Sequence, residues 1–266
     1  MRAIITFQNY VRAQSLEEAW ELNQKKRNTI VAGMMWLKMS KQSFNTVIDL
    51  CDLELDLIEE SEEEFRIGAM VTLRQMEKHP GLAAYSCGAV EAAFKDIVGV
   101  QFRNGATLGG SIWRRMGFSD VLTVFLAMDS YVELYKGGTV SLEEFVSMDY
   151  DNDIVVSLIV KKRPGAFAYQ AIRKQRTDLP TLNCAAAKLD DECRVVIGSR
   201  PARAMVLRDK LGILSDGITD ESAAAFAEYA ADKVPVTGNM WGSAQYREAL
   251  VPVLTRRALM ALKEVL

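Results

Sequence analysis

Apolar and polar positions follow one another in a mixed order of strand and helix patterns. The run from Ile4 to Val11 is apolar and extended, and Ser15 with Glu18 forms a capping box that opens a helix over SLEEAWELNQKK. NTIVAGMMWLKM begins as a buried strand, reaches Gly33 and turns. FNTVIDLCDL predicts a further strand, and LDLIEESEEEFRIGAMVTL a hairpin with the acidic SEEE at its solvated tip. Thr72 and Gln75 cap the next helix, which His79-Pro80-Gly81 closes, and GAVEAAFKDIVGVQ carries apolar residues at helical spacing.

Beyond a glycine-rich stretch, VLTVFLAMDSYVELY passes from helix to strand, and Ser141 with Glu144 marks another capped start. The composition shifts from about Asp151, where DIVVSLIVKKR and AFAYQAIRKQ read as strands paired around Pro164-Gly165. A domain boundary is expected there. The strand ECRVVIGS and two helices, ESAAAFAEYAADKV and SAQYREALVPVLTRRALMALKEVL, finish the chain. Tyr246, Ala249, Leu250, Val253, Leu254, Ala258 and Leu262 form one stripe on the last helix, suited to core packing or to a partner surface. The order lacks regular βαβα alternation, which favours α+β in two or three subdomains over a doubly wound sheet.

With 266 residues, 49% hydrophobic and 25% charged, the chain has the profile of a folded protein large enough for one or two compact units. Its net charge of −3 and interspersed signs leave no electrostatic footprint for nucleic acid. The N-terminal apolar run stops at Gln8 and Asn9, too short for a signal peptide or a membrane span, so a cytoplasmic location is expected. Cys51, Cys87, Cys184 and Cys193 form no CxxC pair and read as buried or inert thiols rather than zinc or iron-sulfur ligands. His79, the single histidine, reads as a helix-end residue. A multi-histidine metal site is thereby excluded, and a Ser/His/Asp triad would have to use this one residue.

Two stretches, IVAGMMW and RNGATLGGSI, read as places where a strand stops and backbone is exposed at a glycine. A glycine lets consecutive N–H groups converge without an intervening Cβ, and such a concave set of donors binds phosphate oxygens. Thr107 and Ser111 add hydroxyls, and two such bends side by side suit the pyrophosphate of a dinucleotide. An ordinary pair of turns is the plainer reading of the spacing. Neither GxGxxG nor GxxxxGK[ST] is present.

Four stretches in combination carry a resemblance that spans almost the whole chain: FQNYVRAQSLEEA, the strand pair with VIDL and RIGAMVTL, QFRNGATLGGSI followed by SD, and GSAQYREALVPVLTRRAL. VVIGSRPARA adds to it. Together they resemble the FAD-binding medium subunit of the molybdenum hydroxylases, the xanthine dehydrogenase and carbon monoxide dehydrogenase family. The resemblance implies an α+β fold: a two-subdomain FAD-binding domain of the vanillyl-alcohol-oxidase type over residues 1–162, split at about 1–54 and 55–162. A small C-terminal domain of antiparallel sheet and helices follows over 163–266, with the isoalloxazine between the two domains.

Carried over by position, the cofactor residues are Val31, Ala32, Gly33, Met34 and Met35 in the first bend and Ala106, Thr107, Gly109, Gly110 and Ser111 in the second. Ser119 and Asp120 match the family's SD pair near the ribose and adenine-linked end. The departures are AGMMWL in place of a small, polar AGGTD-like run, Arg114 and Arg115 where smaller residues are common, and Gln170 in place of a lysine that reaches the flavin edge. Arg114 and Arg115 read as solvated, or as contacts to phosphate or to a partner subunit. The implied role is an FAD-binding oxidoreductase subunit that needs no catalytic acid or base of its own. It would relay electrons from clusters on an iron-sulfur subunit, beside a molybdopterin-binding subunit, to an acceptor such as NAD. The alternative is a scaffold subunit of the same fold with lost or weakened FAD binding. A standalone flavoenzyme is a third, more distant reading.

Overall fold

The computed structural model describes residues 5–266; Ile4, the expected start of the first strand, lies outside the described residues. The chain is α+β, and its described residues build three sheets. The first is parallel, in the order β1 (Thr6–Arg12), β3 (Ser43–Asp49), β2 (Thr29–Val31). Helix α1 (Leu16–Asn23) joins β1 to β2. Its N-cap Ser15 accepts the Glu18 N–H, and Glu18 reaches back to the Gln14 N–H. Ala13, Ala19, Ile48, Leu50 and Ile154 make the small core of this layer. β1 is an edge strand exposed along most of its length, with Phe7 and Tyr10 on the surface.

The second sheet runs β4 (Ile58–Glu60), β5 (Glu64–Gly68), β8 (Val155–Lys161), β6 (Ser130–Leu134), β7 (Gly138–Ser141), and the acidic tip closes the β4–β5 hairpin as expected. Seven short helices pack around it: α2 (Leu73–Lys78), α3 (Pro80–Tyr85), α4 (Ala89–Phe94), α5 (Val100–Gly105), α6 (Leu108–Trp113), α7 (Asp120–Ala127) and α8 (Leu142–Phe145). The Thr72–Gln75 capping box and the Ser141 cap form as predicted. His79 ends α2 and also caps α3, its Nδ1 accepting the Leu82 N–H. The helix expected over GAVEAAFKDIVGVQ is broken between α4 and α5.

The third sheet is antiparallel, in the order β12 (Met205–Arg208), β11 (Glu192–Gly198), β10 (Leu182–Leu189), β9 (Gly165–Ile172). One correction follows. DIVVSLIVKKR and AFAYQAIRKQ form strands, but they do not pair: β8 lies in the second sheet between β5 and β6, and β9 lies in the third beside β10. Alternation along β9 covers both of its faces. Phe167 and Tyr169 join the core of the helices and the second sheet, while Ala166 and Ala168 face α9 (Asp220–Lys233) and α10 (Ala244–Val265).

The stripe on α10 is rotated from its expected position. Leu250, Leu254, Ala258 and Leu262 are buried, but Tyr246, Ala249 and Val253 are exposed and Arg247 takes the core position. Arg247 is held there by carbonyl groups that hydropathy does not weigh: Thr181, Thr237 and Gly242 accept from it, as does Asn239 Oδ1. Cys184 and Cys193 are buried, and burial pushes the Cys193 thiol up to about 12. Cys51 and Cys87 are exposed, so burial holds for two of the four thiols read as buried or inert. Among the described residues no helix is long and apolar enough to cross a membrane.

Candidate functional site

β2 ends at Val31, and the bend that follows is set by glycine. A β-carbon on Gly33 would lie 1.4 Å from the Gly105 carbonyl oxygen, so the first bend rests directly on the end of α5. Met34 then takes a left-handed backbone, φ 54°, before a 3₁₀ turn over Leu37–Met39. The N–H groups of Gly33, Met34, Met35 and Trp36 donate to no group among the described residues. Successive donors of this kind in a bend with a left-handed residue form a concave anion-binding surface.

The second stretch is a link between two helices rather than the end of a strand: α5 runs to Gly105, and Thr107 caps α6 through the Gly110 N–H at 3.4 Å. The link is fixed against α2 and β5. Leu73 N–H donates to the Ala106 carbonyl, Leu108 N–H to that of Val71 and Gly109 N–H to that of Ala69. Gly109 therefore packs inward, while a β-carbon on Gly110 would meet only Thr107 Oγ1, at 3.3 Å. Ser111 Oγ donates to the Thr107 carbonyl at 2.8 Å.

The two bends form the walls of one cleft of about 300 Å³. Of the residues singled out in the sequence, Val31, Ala32, Gly33, Met34, Met35, Ala106, Thr107, Gly109, Gly110 and Ser111 all line it. Trp36 lines it too without filling it, since its ring packs on Phe102 and Phe118 with centroids 5.7 Å and 5.6 Å away. Pattern reading missed part of the lining: Asn23 and Asn28 from the α1–β2 region, Trp113, and the segment Asp151–Val155; Arg114, read as solvated or as a phosphate or partner contact, lines it as well. Nothing in the acidic run DYDND marks it as a cavity wall. Asn28 Oδ1 is buried there without a partner.

Other candidates fall elsewhere. Ser119 and Asp120 do not line the cleft. Ser119 caps α7, and Asp120 is buried where α7 meets the third sheet, paired with Arg173 at 2.9 Å and accepting from Asn183 at 2.9 Å and from the Tyr169 hydroxyl. Burial pushes the Asp120 carboxyl above its ordinary range, against the pull of Arg173 and these hydrogen bonds. Gln170 shares a strand face with Ala166 and Ala168, toward α10, and does not line the cleft.

Arg114 is exposed at the cleft, but Arg115 is buried, contrary to a solvated reading. Its guanidinium lies 4.0 Å from the Phe145 ring centroid and 4.6 Å from that of Tyr150, and burial pulls its pKa down. Tyr150 in turn donates to the Arg114 carbonyl, which ties the Asp151–Val155 wall to the turn after α6.

Free backbone donors, a glycine opening onto the cavity and an unpartnered amide oxygen are the donor and acceptor set that a nucleotide with a diphosphate bridge requires. Residues 5–162 match a family described as the FAD binding domain in molybdopterin dehydrogenase. Among curated proteins, YgfM of Escherichia coli strain K12 is 26% identical over 252 residues, 93% of each chain. The nicotine 6-hydroxylase medium subunit of Paenarthrobacter nicotinovorans is 25% identical over 273 residues, 94% of this chain and 95% of that one. In fold, the chain superposes on a chain of the carbon monoxide dehydrogenase from Hydrogenophaga pseudoflava with a TM-score of 0.84, 23% identity and 96% of both chains covered.

Proposed function

From the premise that the chain belongs to the family of FAD-binding domains in molybdopterin dehydrogenases, we propose that it is the FAD-carrying oxidoreductase subunit of a molybdenum hydroxylase-type complex. The observation that carries the reading is the contact of the Gly33 bend with Gly105, which brings four N–H groups without an acceptor among the described residues into the cleft that Gly110 also lines. In this reading Gly33, Met34, Met35 and Trp36 donate through the backbone to the diphosphate bridge, and Thr107, Gly110 and Ser111 face it from α6. Asn28 offers the cleft an acceptor and Trp113 an aromatic side chain.

When bound, FAD supplies transfer of electrons from iron-sulfur clusters on one partner subunit, fed by a molybdopterin-binding subunit, to an acceptor such as NAD. This chain binds and orients the cofactor and needs no acid or base for the transfer. Residues 1–162 form the cofactor domain in this reading, 163–266 the smaller domain beside it, and the complex resides in the cytoplasm. A second reading, a scaffold subunit with weakened FAD binding, draws on Met34, Met35 and Trp36, which bring bulk to the wall where the resemblance has small residues.

Purification with co-expressed partners, followed by FAD titration monitored by flavin fluorescence, decides between them. A yellow protein with a flavin absorption band, and Kd raised at least about tenfold in Gly110→Val, is the expected result. A colourless chain that still assembles would replace it with the scaffold reading.

A further inference from the structure

The cleft, at about 300 Å³, is at the small end of the range for ligand pockets, whereas FAD carries a tricyclic ring and an adenine on opposite sides of its diphosphate bridge. With the bridge on the two bends, one arm has to leave the cleft. A second cavity, of about 330 Å³, lies beyond the turn after α6, lined by Gly117, Phe118 and the loops that follow β9 and β11. Trp36 lines the cleft and Phe118 lines this cavity. Their rings pack with centroids 5.6 Å apart, so the pair stands between the two spaces.

The two rings are held differently. Phe118 follows Gly117, where a β-carbon would lie 2.5 Å from the Ala202 carbonyl oxygen and whose own carbonyl accepts the Ser199 N–H, so its turn is pinned from behind. Phe102, the other ring against Trp36, belongs to α5. Trp36 itself is on neither a strand nor an α-helix. It precedes the 3₁₀ turn, two residues after the left-handed Met34, and is 37% exposed. Its ring meets Phe102 and Phe118 at interplanar angles of 74° and 52°, and its remaining side is open to solvent. Rotation of the indole toward solvent breaks two aromatic contacts and moves no backbone donor of the first bend.

We infer that Trp36 is a gate that decides which nucleotide the cleft takes. With the indole against Phe102 and Phe118 the cleft holds a nucleoside diphosphate, and the indole has to swing out before the flavin arm of FAD can pass. The inference rests on the reading of the cleft as an FAD site. It follows from AGMMWL, since the small, polar run that the resemblance has at this place carries no ring to close the passage. The contacts of the closed indole lower the apparent affinity by the fraction of open chain, and they do so for FAD alone.

The test is stopped-flow mixing of the full chain, stripped of flavin, with FAD, followed by flavin and tryptophan fluorescence. Isothermal titration with ADP supplies a probe that lacks the flavin arm. Trp36→Ala, which loses both ring contacts, is expected to speed FAD association and lower its Kd about tenfold, and Phe118→Ala, which loses one, about threefold. The Kd of ADP is expected to stay within about twofold in Phe118→Ala, a position outside the cleft. Circular dichroism reports the fold of each variant; if Trp36→Ala does not fold, Phe118→Ala decides. A wild-type chain that takes ADP but no FAD, beside a Trp36→Ala chain that takes both, would equally support the gate, closed at rest. FAD binding at the wild-type rate and affinity in both variants would overturn the gate and leave the FAD reading intact. ADP and FAD strengthened alike in Phe118→Ala would overturn it as well, making the ring pair an ordinary part of the wall. Failure of all three proteins to bind either nucleotide would remove the FAD reading, and the gate with it.

Discussion

Gly109 is pressed onto Ala69: a β-carbon at Gly109 would lie 2.8 Å from the Ala69 Cβ and 2.9 Å from the carbonyl oxygen that accepts the Gly109 N–H. At its neighbour Gly110, which lines the cleft, a β-carbon would meet only the Thr107 hydroxyl, at 3.3 Å. The two adjacent glycines thus separate folding from ligand binding. Gly109→Val is expected to lose about 1–3 kcal/mol of stability through overpacking, read from urea midpoints. Gly110→Val should keep its midpoint and lose FAD. Equal midpoint losses in both would show that Gly110 is not the one that faces the ligand.

At Gly33 the obstacle is backbone. Alanine there meets the Gly105 carbonyl, and neither segment yields cheaply, so Gly33→Ala should separate the two bends. FAD affinity is expected to fall by at least about tenfold, with a stability loss of about 1–3 kcal/mol. A variant that binds FAD normally would remove the claim that contact between the bends builds the cleft.

Met34 holds a left-handed backbone that disfavours L side chains by about 1–2 kcal/mol, while glycine adds roughly 0.5–1 kcal/mol of unfolded-state entropy to be lost. Met34→Gly should therefore raise stability by about 0.5–1 kcal/mol, seen as a higher urea midpoint at unchanged slope. A lower midpoint would mean that the thioether packing outweighs the backbone relief.

These positions also show what the sequence conveys. The bend at Gly33 and the caps at Ser15, Thr72 and Ser141 are local, decided within a few residues, and they are where the pattern places them. The pairing of β8 and β9 is not local. Alternation reports which face of a strand is apolar, not which strand lies beside it, so two neighbours in the chain read as a hairpin although they belong to different sheets. Arg115 was illegible for a related reason: the rings that shelter it, Phe145 and Tyr150, are some thirty residues away in sequence. The same separation hid the Asp151–Val155 wall.

Glu77 and Arg103 form a buried ion pair beneath the cleft helices, at 2.7 Å, with Arg74 also bonded to the carboxylate at 2.8 Å. Burial pushes the Glu77 pKa up, but the hydrogen bonds from Arg103 and Arg74 outweigh it and hold the carboxyl below its ordinary range. A depressed folded pKa gives stability that is present above the unfolded pKa and lost as pH falls through the folded one. Glu77→Gln should be about 3–5 kcal/mol less stable than the wild type near neutral pH, because Arg103 is left without its counter-charge. The gap should narrow below about pH 4. A gap independent of pH would mean that the pair contributes by packing alone.

Asp120 and Arg173 tie α7 to the third sheet through one carboxylate, with Tyr169 and Asn183 as further donors. Arg173→Met is expected to cost about 3–5 kcal/mol in urea unfolding, from the uncompensated charge at Asp120. Asp120→Asn with Arg173→Met together should recover part of that loss; no recovery would mean that the two residues are not coupled.

The third sheet is clad on both faces: Phe167, Tyr169, Ala185 and Val196 meet the helices of the N-terminal half, while Ala168, Cys184, Val195 and Ile197 meet α9 and α10. The C-terminal hundred residues are consequently not a portable module. Severed after Lys162, they would present an oily slab of strand to water, the kind of surface that gathers copies of itself. Exchange of this half among relatives would have to carry the matching helix faces with it.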